Sequence, residues 1–283
     1  MVLSKKFILA KQFVGKPSSD DIKLVTEELP DEVNDEEVLC EAVWLSVDPY
    51  MRINAGELSE GDVMMGEQVA RVIASKNPKF PEGTHVMAHF GWKSHTLVKD
   101  VSVLRKVPDI EDLPLSLILG SLGMPGQTRK YFERSISVKI AGKLDIITVN
   151  IDLDKVLSSS VPDGIDCYFD NVGGHFSSVV LSHMNSHGRV CICGCISEYN
   201  VPVENKLKGP YPFKRILHKE LSIFGFIVWK CMQRAGEGRK QLLEWIKNVE
   251  LVADMSATNA ITYHWKGFHF GPNLSRYEHV TII

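Results

Sequence analysis

The chain has 283 residues, 44% hydrophobic and 24% charged, with a formal net charge of -3. This is ordinary globular usage with room for two domains, and it excludes a disordered chain. A charge so close to neutrality gives no electrostatic reason to expect nucleic acid or an anionic membrane as partner.

Taken in chain order, the N-terminus MVLSKKFILAKQF has an apolar stretch, Phe7 to Ala10, too short for a secretory signal, and Met1-Val2 does not form a myristoylation site. The default location is cytoplasmic. The first hundred residues read as β. Val38 to Val47 is a strand run, bounded by acidic residues before it and by Asp48-Pro49 after it. Gln68 to Ser75 alternates with period two, and Thr84 to His89 and Thr96 to Val98 read as paired strands around Gly91. Many short strands with Pro, Gly and Asn between them predict a barrel or sandwich.

After about Leu113 the pattern changes. Leu115 to Leu122 reads as a helix stopped by Gly123-Met124-Pro125-Gly126. Ile165 to Phe169 is a short apolar strand, His175 to Asn185 a helix, and Val190 to Ile196 a second strand. Leu221 to Trp229 is a third apolar run, and its clearest stretch, Ile223 to Trp229, is too short for a bilayer, which needs roughly 20 residues. Arg239 to Val249 has apolar residues at helical spacing. Strand–helix–strand order predicts a parallel α/β sheet. Arg129 to Lys143 and Ile261 to Ile283 follow no clean pattern.

Six cysteines, Cys40, Cys167, Cys191, Cys193, Cys195 and Cys231, occur in a chain with no export signal, so no disulfide framework is expected. Cys191, Cys193 and Cys195 alternate and would share one strand face, but they lack the C-x₂₋₄-C spacing that zinc sites prefer. They read first as small buried side chains and second as a metal or redox site.

Four stretches could carry chemistry. Asp170-Asn171-Val172-Gly173-Gly174 ends a strand, where ligands bind in open α/β sheets. It is equally readable as a turn that needs glycine for its dihedrals. Cys193 to Tyr199 ends the next strand, and Tyr199 reads either as a phenolic donor or as a surface tyrosine. Val47-Asp48-Pro49-Tyr50-Met51-Arg52 leaves a strand through a proline-fixed turn. Met64 to Val72 opens a strand after Gly66.

Together with LGSLGMPGQT (119–128), DGIDCYFDNVGG (163–174) and GRVCICGCISEYN (188–200), these phrases resemble the zinc-independent medium-chain reductases. The resemblance covers about residues 1–128 and 150–252. It implies an α/β chain: a GroES-like β-barrel substrate domain (1–123), a truncated Rossmann-type parallel-sheet domain (124–252) and a divergent C-terminal return segment (253–283). It implies NADPH-dependent reduction of the double bond of α,β-unsaturated ketones and aldehydes, 15-oxoprostaglandins and alkenals among them, in a cleft between the domains. Hydride goes to the β-carbon while hydrogen bonds stabilise the carbonyl oxygen. The zinc-dependent relatives carry Gly-His-Glu where this chain has Gly66-Glu67-Gln68, so no metal is implied. The partner is a small lipid-like enone or enal, and a homodimer stays open.

Carried over residue by residue, the resemblance assigns Tyr50 and Tyr199 to the substrate carbonyl. It assigns Asn171, Cys193, Gly194, Cys195, Ile196, Ser197 and Tyr199 to contacts with NADP(H), with Phe226, Ile227 and Val228 beside the nicotinamide. Asn273 in GPNLS matches the Asn of a C-terminal G-x-N-L-G.

The pattern breaks between Thr128 and Asn150. The family's first Rossmann strand, its A-A-x-G-A-V-G turn and its helix belong here, and the turn holds the pyrophosphate with backbone N–H groups. The sequence has no such turn and is short by roughly 40–50 residues against a complete unit. Ser137 to Lys143 reads as a remnant of the second strand, with Lys143 as counterpart of a lysine binding the 2′-phosphate. Impaired NADP(H) binding is therefore expected. The alternatives are an inactive homologue or truncated isoform acting at most as a binding protein, and a cysteine-based metal or redox protein.

Overall fold

A computed structural model describes residues 1–128, 144–147, 152–202, 211–248, 262–264 and 279–282. The chain divides into two compact units. The first comprises 1–13, 17–127 and 236–272, the second 14–16, 128–235 and 273–283.

The first unit is antiparallel. β1 (Val2–Leu9) and β2 (Ile22–Leu29) form a two-stranded ladder. β3 (Val38–Ser46) leads through a helical turn, α1 (Tyr50–Asn54), to β4 (Gln68–Ser75), β5 (His85–Ala88), β6 (His95–Val98) and β7 (Arg105–Lys106). Strand order is β3-β4-β5-β7. The nine-residue β3 is long enough to pair on its other edge with β6 and with Thr262–His264 near the C-terminus. The expected pairing of β5 with β6 is thus corrected: β5 lies between β4 and β7, and β6 pairs with β3. Gly91 turns the chain away from a hairpin, and the Trp92 N–H donates to the Met64 carbonyl at 2.8 Å.

The period-two pattern has a packing reason. Ala70, Val72, Val86 and Ala88 point into a core with Val38, Cys40, Val98 and Leu104. Val69 and Met87, on the opposite face, pack on Leu117, Ile118, Leu119, Leu122 and Leu242. The sheet is buried on both sides.

Leu115 to Leu122 is not the expected helix. A 3-10 turn covers Leu115–Ile118, and helical residues then run from 124 to 128, where a stop was expected. Pro125 lies in the first turn of that segment, where a missing N–H costs nothing.

The second unit is a parallel α/β layer. α2 (Leu153–Ser160) precedes β9 (Ile165–Asp170), which α3 (Gly174–Ser182) connects to β10 (Met184–Ile192). α4 (Phe213–His218) precedes β11 (Ser222–Gly225), and the order is β11-β10-β9, all parallel. Tyr168, Leu157, Val180 and Met184 are fully buried in its core. β8 (Leu144–Ile147) pairs antiparallel with His279–Ile282. The second strand ends at Ile192, not Ile196, because the Cys193 and Gly194 N–H groups donate to the Asp170 carbonyl at 2.8 and 3.0 Å. Cys193 and Cys195 therefore leave the ladder and do not share a strand face with Cys191.

The helix expected at Arg239 to Val249 spans Ala235–Lys247 and is called α5 below. It belongs with the first unit, whereas the sequence reading kept 124–252 together. Leu242 is fully buried, and Leu243, Trp245 and Ile246 pack beside it against the β4–β5 face. No helix among the described residues is long and apolar enough to cross a membrane.

Candidate functional site

The candidate residues fall into two groups, one in each unit. In the first, β3 ends at Ser46 and the chain turns at Asp48-Pro49. The Met51 N–H donates to the Asp48 carbonyl at 3.1 Å, starting α1 at Tyr50. Asp48 is 8% exposed, and its carboxyl is hydrogen-bonded by the Ser46 side chain. The Ser46 hydroxyl oxygen also accepts from the Glu67 N–H at 3.1 Å, and the Trp92 indole N–H donates to the Ser46 carbonyl at 3.1 Å.

Burial, with the neighbouring Glu67 charge, pushes the Asp48 carboxyl up to about 7 against the hydroxyl's opposing bond. Tyr50 is half-buried. Burial first, then the Asp48 and Glu67 charges, push its phenol further above its ordinary range, so it stays a neutral donor. Glu67 is ion-paired with Arg105. Arg239 adds a second guanidinium near this pair and donates through Nε to the Leu122 carbonyl at 3.2 Å. Gln68 donates its amide to the Gly91 and Lys93 carbonyls, the latter at 2.9 Å.

In the second unit, Asn171, the segment Cys193 to Tyr199, and Phe226 come to one rim, at the carboxyl ends of three neighbouring parallel strands. Asp170 organises this rim. Its carboxylate, 5% exposed, accepts from the Tyr168 hydroxyl at 2.8 Å, the Ser177 hydroxyl at 2.5 Å and the Val172 and Gly173 N–H groups at 2.9 and 3.0 Å. The following segment crosses the turn: the Ile196 N–H donates to the Asn171 carbonyl and the Ser197 N–H to the Val172 carbonyl, each at 3.0 Å.

Gly173 has φ +73°, and a Cβ there would come within 3.0 Å of the Cys195 Cβ. The turn reading of the glycines is therefore correct, whatever else they do. The Tyr199 hydroxyl folds back on its own loop, accepts from the Cys195 N–H at 3.4 Å, and would lie 3.0 Å from a Cβ on Gly194. Burial raises this phenol too. Asn171, Ser197 and Ile227 are exposed. Phe226 faces inward, its ring edge-on to Phe169 at 6.3 Å, and Val228 is also buried. Cys193 and Cys195 are half-buried free thiols raised by burial, Cys193 to about 11. Among the described residues no group of three or more His, Cys, Asp or Glu side chains could hold a metal. Asn273 and Lys143 lie outside the described residues.

The described residues do not fit a dinucleotide diphosphate. The N-terminal end of α3, which would suit an anion, already carries the Asp170 carboxylate. The other glycine clusters are used elsewhere: Gly236 and Gly238 lie inside α5, and Gly123 and Gly126 flank or form the helical turn at 124–128.

Reading the sequence alone missed Asp48, Glu67, Arg105 and Asp170. Asp170 had a signal, since Tyr168 and Asp170 share a strand face and a carboxylate before Val-Gly-Gly suits an Asx turn. The Asp48–Glu67 proximity had none, because it arises from tertiary packing of the Gly66 segment on the end of β3.

Residues 5–107 match the family described as the N-terminal domain of oxidoreductase. Prostaglandin reductase 1 of Oryctolagus cuniculus is 40% identical over 297 residues, covering 87% of this chain and 83% of its own length. The NADP(+)-dependent 2-alkenal reductase of Nicotiana tabacum is 28% identical, covering 81% and 82%. The crystal structure of CurA in complex with NADPH from Vibrio vulnificus shares the fold, with a TM-score of 0.71 at 23% identity over 87% of this chain and 89% of its own. The rabbit alignment runs over 297 residues, whereas 87% of 283 is about 246. About fifty aligned positions are therefore filled by the relative alone.

Proposed function

The chain belongs to the medium-chain reductase family, and we propose that it keeps that family's apparatus for an enone carbonyl while holding NADPH far more weakly than its complete relatives do. The observation that carries the carbonyl assignment is Tyr50: a half-buried phenol at a strand exit, kept protonated by burial and by two nearby carboxyl groups. A neutral hydroxyl with a raised pKa donates to a developing enolate oxygen without losing its own proton. Tyr199 is the second phenol of this reading, steered by the Cys195 N–H and the absence of a side chain at Gly194. The substrate class is a small lipid-like enone or enal, in keeping with the names of the relatives.

The weak hold on NADPH rests on the missing glycine turn and on Asp170 at the α3 N-terminus. Asn171, Cys193 to Tyr199, Phe226 to Val228 and Asn273 are the positions at which the remaining cofactor contacts are proposed.

Turnover of hex-2-enal with a large excess of NADPH tests the carbonyl assignment. Tyr50→Phe should lower the rate about 100-fold, the scale of losing one oxyanion donor. A Tyr50→Phe variant as fast as the wild type would remove Tyr50 from the mechanism. If neither protein turns over, the chain is an inactive homologue.

A further inference from the structure

The two peptide units that follow the end of β9 are held at both of their polar ends. The Val172 N–H donates to the Asp170 carboxylate at 2.9 Å and the Gly173 N–H at 3.0 Å. The same two units carry the Asn171 and Val172 carbonyls, which accept from the Ile196 and Ser197 N–H groups, each at 3.0 Å. A trans peptide is planar, with its N–H and C=O directed oppositely. Drawing both N–H groups onto one carboxylate therefore aims both carbonyls away from it, at the loop that follows β10.

The carboxylate is itself fixed. Its Oδ1 also accepts from the Tyr168 hydroxyl at 2.8 Å, and its Oδ2 from the Ser177 hydroxyl of α3 at 2.5 Å. With the Asp170 carbonyl, which takes the Cys193 and Gly194 N–H groups, the loop hangs on three successive carbonyls. Ile196 and Ser197 open a 3-10 turn, Ile196–Glu198, and Tyr199 follows it directly, its N–H donating to the Ile196 carbonyl at 3.3 Å. The Tyr199 hydroxyl oxygen accepts from the Cys195 N–H, which leaves the phenolic proton for another acceptor.

We propose that Asp170 is a positioning residue for Tyr199: by holding the N–H ends of two peptide units it aims the carbonyls on which the Tyr199 loop hangs. An oxyanion donor is effective only where it is held in advance, so what fixes this loop fixes the donor. The proposal rests on Tyr199 being a hydroxyl that meets the carbonyl, yet its test does not need turnover.

The test is carbon NMR of the full chain with its tyrosines labelled at Cζ, the Tyr199 signal being assigned by its loss in Tyr199→Phe. Amide exchange at Ile196 and Ser197, read against Val190 and Cys191 of β10 in the same protein, accompanies it. In Asp170→Ala the Tyr199 signal should move, and the two loop amides should exchange at least about 10-fold faster relative to β10, the scale of losing hydrogen bonds to a charged group. Asp170→Asn should restore both readouts, because its amide oxygen accepts the two N–H groups and its NH2 meets the Ser177 oxygen. Met184→Ala empties a fully buried position at the opposite end of β10 and should lower the melting temperature with neither readout changed. Should Asp170→Ala fail to fold, Ser177→Ala decides the matter, since it releases Oδ2 alone and should move the Tyr199 signal in a folded chain. A Tyr199 signal that stays still in the folded variant, or moves equally in Met184→Ala, overturns the proposal. So does an Asp170→Asn variant that behaves as Asp170→Ala. Absence of hex-2-enal turnover in the wild type would sink the reductase reading separately, with the NMR result still deciding whether Asp170 places Tyr199.

Discussion

Asp48 and Asp170 are two buried aspartates with opposite solutions to the same cost. Burying a carboxylate is expensive unless hydrogen bonds or a cation replace its water. Asp170 takes two hydroxyl and two N–H donors, whereas Asp48 has one hydroxyl and a neighbouring carboxylate. Removing the Asp170 acceptor leaves several buried donors without a partner. Asp170→Ala should therefore cost about 3 kcal/mol or more, read as a fall in the urea midpoint. Asp48 predicts a pH effect with a definite sign. Its folded value lies above the unfolded one, so its contribution to stability is full below about pH 4 and is lost as pH rises to about 7. Relative to Asp48→Asn, the wild type should lose up to about 1.4 kcal/mol per pH unit across that range. Parallel stability curves for the two proteins would refute it. Neither aspartate was readable as a buried carboxyl from sequence, since burial comes from packing between segments.

Elements were more legible than residues. The alternation in Gln68 to Ser75 gave β4 its bounds, and Ile165 to Phe169 gave β9 to within one residue. Three misreadings share a cause, which is that neighbours decide where a local pattern stops. β6 pairs with β3 and not with β5, the CGC segment is pulled off β10 by the Asp170 carbonyl, and Pro125 begins a helical segment instead of ending one. The helical period of α5 was plain, but its destination was not. Its apolar face completes the core on the β4–β5 side, with Leu242 at 1% exposure. Leu242→Ala should cost about 2–5 kcal/mol. The loss should appear in the thermal unfolding of the first unit, and hydrogen exchange in β4 and β5 should accelerate while β9 and β10 change little. A uniform acceleration in both units would show that α5 supports the whole chain equally.

At the scale of the molecule, each unit has a hydrophobic core among its described residues, while about fifty positions of the alignment with a 40% identical relative have no residue of this chain. Within the sequence, five separated phrases frame one stretch, Thr128 to Asn150, that has no glycine turn. The same sequence did not reveal that the N–H groups before α3 already donate to the Asp170 carboxyl. A diphosphate that loses even two charge-assisted N–H bonds loses at least about 3 kcal/mol, or roughly 100-fold in affinity. Titrating NADPH into this chain and into rabbit prostaglandin reductase 1 side by side, with nicotinamide fluorescence and melting temperature as readouts, tests this directly. A well-folded chain that binds at least about 100-fold more weakly than the rabbit protein, with little rise in melting temperature, is the predicted result. Equal affinity, with a matching rise in melting temperature, would contradict it and show that other residues of this chain have replaced the glycine turn.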